Sequence, residues 1–356
     1  MKNNETYFIL SSNCKLVNGA KRSIIIDYGR GDIYFLPKEY FELVSMMDRG
    51  KICDVELHLS DVESKKNFEE FLAVILSHEI GFLTDTPEQF PGRDENIYAE
   101  ELTPLIDVII EIDPLNFDKV IFSNLCADLN FLKCKDFQIR LFSTFDFQFL
   151  SEITKLINAS TANYLEIHCN YSGGLEEELH NFIEQNPIAS NIYLYGSPDV
   201  KEVAITNNIQ DYHPLQLGKV YYINYPFNDG NCCGVITKET LDYSSIDTHN
   251  LLKKRNGCLD RKLSIDRFGN IKNCPSMKNR YGNIKEVSIR EIITKDEFKK
   301  FWHINKDQIS ICNVCEFRYN CTDCRAFLQN PTDIFSKPLK CGYNPYTCTW
   351  DNLNYV

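Results

Sequence analysis

The chain reads as an α/β protein in three parts. Three observations carry that expectation. Short β-branched and aromatic runs broken by glycine open the sequence and give way to helical spacing. Apolar strand-like runs then alternate with helical patterns, and ten of the fifteen cysteines lie from Cys232 onward. Residues 1–95 are therefore read as a small strand-and-helix module, 96–230 as a partial (β/α) barrel, and 231–356 as a cysteine-rich domain.

In the first part, Tyr7-Phe8-Ile9-Leu10, Ser23–Tyr28 and Asp32–Leu36 predict a small antiparallel sheet, with turns at Asn18-Gly19 and Gly29-Arg30-Gly31. From Pro37 the apolar residues Phe41, Val44 and Met47, and later Phe68, Leu72 and Ile75, recur at three- and four-residue spacing, so helices follow. The polar, turn-rich stretch Phe90–Asn96 marks a boundary. Beyond it, strands are predicted at Leu105–Ile112, Phe137–Ser143, Tyr164–Cys169, Asn191–Gly196 and Lys219–Tyr225, with helical spacing between them at Phe147–Ile157 and Leu175–Ile183. That alternation builds parallel βα units, five to six strands in all, too few for a closed eight-unit barrel.

Composition excludes several classes. The net charge of −12 and pI near 5.2 disfavour nucleic acid, whose phosphates need a basic face. No apolar run is long enough to span a membrane. The opening Met1–Thr6 lacks an apolar export core, so the expected location is cytoplasmic. Phosphate-loop, dinucleotide and nucleophile-elbow motifs are absent, and the seven histidines show no metal-ligand spacing. His168, beside Cys169 at a strand end, reads as a satisfied structural histidine more readily than as a barrel-mouth group.

The cysteines carry the chemistry. Cys258-x10-Gly269-x4-Cys274 is followed by Cys312-x2-Cys315-x5-Cys321-x2-Cys324 and a late Cys341. Thiolates at such short spacings suit zinc or iron–sulfur clusters and not hard cations. Disulfides fit an odd count in a reducing compartment poorly. A hairpin around Asp266–Asn270 brings Cys258 and Cys274 together, and Gly269 supplies its turn freedom. Cys14, Cys53, Cys126, Cys134 and Cys169 sit in or beside apolar patterns and read as small buried hydrophobes.

This pattern resembles a SPASM domain, the auxiliary-cluster module of radical S-adenosylmethionine peptide-modifying enzymes. One departure is the two-residue Cys321–Cys324 spacing, where the family usually places three. Around the cysteines, Cys258-Leu-Asp-Arg-Lys-Leu-Ser-Ile-Asp266, Ile271-Lys-Asn-Cys-Pro-Ser-Met277, Cys315-Glu-Phe-Arg-Tyr319 and Cys341-Gly-Tyr-Asn-Pro-Tyr-Thr347 are similar to the grasp-with-spasm peptide maturases, which are encoded with an ATP-grasp ligase. The resemblance implies two interleaved sites: Cys258, Cys274 and Cys324 with Cys233 of Cys232-Cys233-Gly234, and Cys312, Cys315, Cys321 and Cys341, with Cys348 as the alternative to Cys341. It implies up to two [4Fe–4S] clusters, with zinc the alternative that spacing leaves open.

The N-terminal sheet and helices resemble the winged-helix element that binds a leader peptide as an added strand. The catalytic-cluster motif C-x3-C-x2-C is missing: after the first barrel strand stands Asp113-Pro-Leu-Asn-Phe-Asp-Lys119. After the second strand, where a glycine-rich stretch is usual, stands Phe142-Ser-Thr-Phe-Asp146. S-adenosylmethionine is therefore not expected, and radical catalysis is not carried over. The expected function is a maturation factor that recognises a precursor peptide and acts with an ATP-grasp ligase; the alternatives are a divergent radical maturase and a zinc-stapled interaction protein.

Overall fold

The computed structural model describes residues 6–92, 103–174, 176–207, 215–228 and 233–351. Both expected domain boundaries, Glu95–Asn96 and Gly230–Asn231, lie outside those residues, as do Cys232 and Leu175, the expected start of a helix.

Strands β1 (Tyr7–Leu10), β2 (Cys14–Asn18), β3 (Arg22–Asp27) and β4 (Asp32–Pro37) lead into helices α1 (Tyr40–Met47), α2 (Ile52–Leu57) and α3 (Val62–Ser77), then β5 (Gly81–Thr84). An antiparallel sheet followed by helices agrees with the sequence, but its membership differs. The sheet runs β2-β3-β4, and β1 pairs with β5 instead. Gly81 explains the second pairing: a Cβ there would lie 2.2 Å from the Phe8 ring, so only glycine lets β5 cross that side chain. β2 escapes the sequence pattern because Lys15 and Asn18 interrupt its few apolar residues.

β3 is buried on both faces. Ile25 packs with the helices, while Val17, Ile24 and Ile26 face Ile236, Phe317, Tyr319 and Tyr343 of the cysteine-rich region. The small sheet is thus a shared wall between two cores.

The large sheet is built by β6 (Asp107–Ile112), α4 (Lys119–Phe131), β7 (Asp136–Leu141), α5 (Phe147–Asn158), β8 (Tyr164–Asn170), α6 (Glu176–Gln185), β9 (Ala189–Tyr195), β10 (Lys201–Asn207) and β11 (Leu215–Ile223). Side-chain caps start the helices: Asp118 accepts from the N–H groups of Val120 and Ile121, and Asp146 from that of Phe149. After α7 (Ile246–Leu252) come β12 (Lys262–Ile265) and β13 (Ile271–Lys272), which join this same sheet.

The strand order is β10-β11-β9-β8-β7-β6-β12-β13. β6, β7, β8, β9, β11 and β12 are parallel, while β10 and β13 run antiparallel at the two edges. Among the described residues, six of the eight strands, β6 to β11, lie within 96–230, as the five to six expected there, and β12 and β13 of the cysteine-rich region add two. β12 and β13 look like a local hairpin in sequence, and their pairing with β6 is non-local. Among the described residues, no helix is long and apolar enough to cross a membrane.

Leu263 on β12 is fully buried in the core of the large sheet. Leu263→Ala is therefore expected to cost about 2–5 kcal/mol. Urea unfolding followed by far-UV circular dichroism and by tryptophan fluorescence should show both signals moving together in one transition; separate transitions would contradict a continuous sheet.

Candidate metal centres and peptide groove

The first thiol group is assembled from four separate places. Cys258 precedes β12 and Cys274 follows β13, so the hairpin between them sets their approach. Asp266 folds the turn by accepting from the N–H groups of Phe268 (3.0 Å) and Asn270 (2.9 Å), and Gly269 adopts φ +83°. Cys233 shares a hydrogen bond with Cys274, which lowers the proton affinity of the first thiol and raises that of the second. Cys258 has Cys324 and Cys233 as electrostatic neighbours. Gly234 makes the approach of Cys324 feasible, since an added Cβ would lie 2.9 Å from its Sγ.

The second group centres on a 3₁₀ turn, Cys312–Val314, where the Cys315 N–H donates to the Cys312 carbonyl (3.0 Å). Cys312 has Cys321 and Cys341 as neighbours, and Cys315 has Cys321 and Cys312. Cys321 and Cys324 fall in different groups although only two residues separate them. Asp323 makes this possible by adopting the left-handed φ of 65°, which reverses the chain between them. Cys348 stands apart, beside Arg22 and Tyr343.

Burial raises these thiols: Cys258 and Cys312 to about 11, and Cys315, Cys324 and Cys341 upward as well. Neighbouring cations oppose it. Lys262 lies beside Cys258 and Cys274 and pairs with Asp107 at 2.8 Å. Lys306 Nζ is 3.9 Å from Cys312 Sγ and 2.9 Å from Asp323, whose carboxylate also binds Arg325 at 2.7 Å. Arg140 is buried, has no partner for Nη1 among the described residues, and holds the Cys233 thiol down. Thiols outside any disulfide, an orphaned donor and buried cations suit an acceptor that is soft and, with its thiolates, anionic. Among the described residues no three His, Cys, Asp or Glu side chains close around a single ion position.

A groove of about 840 Å³ runs between β2 and α1. Ile9, Phe41, Phe82 and Phe90 make one part apolar; Lys253 of the α7 cap and Arg318 and Tyr319, from the loop between Cys315 and Cys321, line another. The loop after β6 carries no thiol, and Asp113 folds it by accepting from the Leu115 N–H (3.2 Å). At that end of the strands, Phe227 stacks on Phe142 and Tyr195, each at 4.5 Å, and Arg267 lies 4.5 Å over Phe142.

His168 is a satisfied buried group. Its Nδ1 is 2.9 Å from the Tyr195 hydroxyl and its Nε2 meets the Glu166 carboxylate. Burial outweighs that carboxylate and lowers the imidazole pKa, so the ring is neutral at pH 7: Nε2–H donates to Glu166 and the Tyr195 O–H donates to Nδ1. Of the five lone cysteines, Cys14, Cys126, Cys134 and Cys169 are buried as expected. Cys53 is half-buried with Sγ turned to Asp54, because α2 shows its Ile52 and Val55 side to the core. Sequence reasoning missed Lys262, Lys306 and Arg140. Lys262 alone left a local signal, standing four residues after Cys258.

Residues 258–316 match the SPASM family, an iron–sulfur cluster-binding domain. Solved structures resemble the chain only distantly. Streptococcus suis SuiB bound to S-adenosylmethionine is 10% identical, with TM-score 0.28, over 93% of this chain and 98% of that one. Histidine-tagged anSMEcpe with bound AdoMet is 10% identical, with TM-score 0.35, over 68% and 94%. SuiB bound to precursor peptide SuiA is 10% identical, with TM-score 0.27, over 90% and 96%. No curated protein matches the chain.

A neutral native His168 binds protons less readily than the unfolded chain does. Stability should therefore fall as pH drops below about 6.5, the ordinary histidine value, and the lowered Glu166 carboxyl adds a further loss below about pH 4.5. Urea midpoints measured from pH 7 to pH 5.5 should fall less steeply for His168→Gln than for the unaltered chain; equal slopes would contradict the neutral assignment.

Proposed function

We propose that this protein is a maturation factor for a ribosomally made, modified peptide, of the grasp-with-spasm kind. It recognises the precursor along β2, acts with an ATP-grasp ligase, and holds two [4Fe–4S] clusters on its two thiol groups. The observation that carries the reading is the gathering of Cys233, Cys258, Cys274 and Cys324, and of Cys312, Cys315, Cys321 and Cys341, in and around the segment that matches an iron–sulfur domain. Within this reading residues 1–95 are a winged-helix-like recognition module, 96–230 a degenerate barrel and 231–356 the cluster domain. The thiols stay reduced, as the cytoplasm would keep them.

Bound clusters would supply strong structural stapling and a one-electron capacity. The chain's own residues do the rest. Lys262, Lys306 and Arg140 offset thiolate charge in a buried setting. β2 is the edge of its sheet and lies in the groove, which supports docking of an extended segment. The reading gives S-adenosylmethionine no role: the loop after β6 has no thiols, and stacked Phe142, Phe227 and Tyr195 occupy the strand ends beside it.

Anaerobically purified protein should contain about eight iron and about eight acid-labile sulfide per chain. About two zinc ions and no sulfide would overturn the cluster assignment and leave a stapled scaffold. Gly234→Ala, strained at φ +83° and crowding Cys324, should bring iron to about four per chain, with Cys312→Ser expected to remove the other set. Calorimetry with the precursor peptide should show binding, and the reduced protein should cleave no S-adenosylmethionine above a protein-free control.

A further inference from the structure

The groove along β2 differs in charge from the rest of the molecule. Among the described residues its lining carries four cations, Lys15, Arg49, Lys253 and Arg318, against the carboxylates of Asp48 and, paired with Arg318, Asp307, in a chain of net charge −12. Asp48 is already committed, accepting from the Leu10 N–H at 2.9 Å. The local sign is therefore inverted, and a basic cleft on an acidic protein attracts an acidic partner.

Backbone geometry selects the partner's shape. The Tyr28 N–H donates to the Asn13 carbonyl, so Asn13, Lys15 and Val17 turn their peptide groups toward β3. The alternate residues turn theirs the other way, and the Asn18 carbonyl accordingly accepts from Arg318. Leu16 thus shows its backbone N–H and carbonyl to the groove, on an edge that an extended chain can extend.

The basic wall is built by the second thiol group. Arg318 and Tyr319 belong to the five residues between Cys315 and Cys321. Arg318 Nη1 donates to the Cys315 carbonyl (3.0 Å), its Nε binds Asp307 (3.0 Å), and its guanidinium covers the Tyr319 ring at 4.5 Å. Lys253 lies 5.9 Å over the same ring. Asn320, next in the loop, donates to the Tyr28 hydroxyl (2.8 Å) and to the Asp242 carbonyl (2.7 Å). A group bound to the thiols at both ends would fix this loop further, and its loss would leave the loop to these hydrogen bonds alone.

We infer that the groove takes an extended acidic peptide segment, with apolar side chains toward Phe41, Phe82 and Phe90 and carboxylates toward Lys253 and Arg318, and that occupancy of the second thiol group controls its affinity. This rests on the peptide-recognition reading and deepens it. Linkage makes the effect reciprocal: a bound peptide raises the equilibrium affinity for the group by the same factor with which the group tightens the peptide.

The test uses the full chain with its metal content intact and short fluorescein-labelled peptides of alternating valine and glutamate, valine and glutamine, or valine and lysine. Anisotropy should show the glutamate peptide binding roughly tenfold or more tightly than the others, with binding lost after chelator treatment and more chelator needed at equilibrium to remove the cluster absorbance when the peptide is present. Lys253→Gln should weaken the glutamate peptide at unchanged metal content; Arg318→Gln should do the same, and Lys253→Gln keeps the test valid if that second variant misfolds. A glutamine or lysine peptide that binds as well or better, with β2 amides protected from hydrogen exchange, overturns the acidic partner and leaves peptide recognition standing. Equal binding before and after chelation overturns the control by the thiol group. No binding by any of the three, with β2 exchange unchanged, overturns both this inference and the recognition reading.

Discussion

Eight thiols in one region, half of them buried and half partly exposed, impose the constraint around which the molecule is arranged. Burial raises the cost of any thiolate, and the chain sets cations beside them. Three of these cations pair with carboxylates. Lys262 pairs with Asp107 on β6, which joins the first thiol group to the large sheet. Lys306 and Arg325 share Asp323, the residue whose left-handed backbone divides Cys321 from Cys324. Glu316, fully buried between two thiol positions, binds Arg22 of β3 at 2.7 Å and also meets the Tyr343 hydroxyl. The Lys262–Asp107 and Glu316–Arg22 pairs thus add to the contacts between the cysteine-rich region and the two sheets.

The same economy appears in the sheets. β12 and β13 complete the first thiol group and extend the large sheet beyond β6. β3 serves two cores, with Ile25 on one side and Ile24 and Ile26 on the other. The loop that carries Cys315 and Cys321 contacts the small sheet at Gly19, Ala20 and Arg22, and a Cβ on Gly19 would lie 3.0 Å from the Glu316 Cβ. Few elements act alone, so a substitution at a contact between parts is felt in both.

Much of this was legible in the sequence. The βα alternation gave β6 to β9 and β11 because buried parallel strands are continuous apolar runs such as Asp107–Ile112, which stand out against helical spacing. The hairpin at Asp266–Asn270 was legible from its glycine, which adopts φ +83°. What escaped was non-local. β2 carries too few apolar residues to register, β1 pairs with β5 across three helices, and Lys306 and Arg140 are chosen by partners remote in sequence from them. Local pattern reports periodicity and turn chemistry; it contains no record of which distant carboxylate or thiol a lysine will meet.

The shared wall has a consequence for synthesis. Val17, Ile24 and Ile26 leave the ribosome early, yet the side chains that cover them, Ile236, Phe317, Tyr319 and Tyr343, are translated after most of the chain. At several residues per second the apolar face of the small sheet waits tens of seconds for its cover. During that interval the nascent chain exposes a flat β surface next to an unpaired strand edge, the kind of surface that recruits holding chaperones or aggregates. Closure then depends on a far later segment, and a chain cut short of Ile236 leaves one side of that sheet bare.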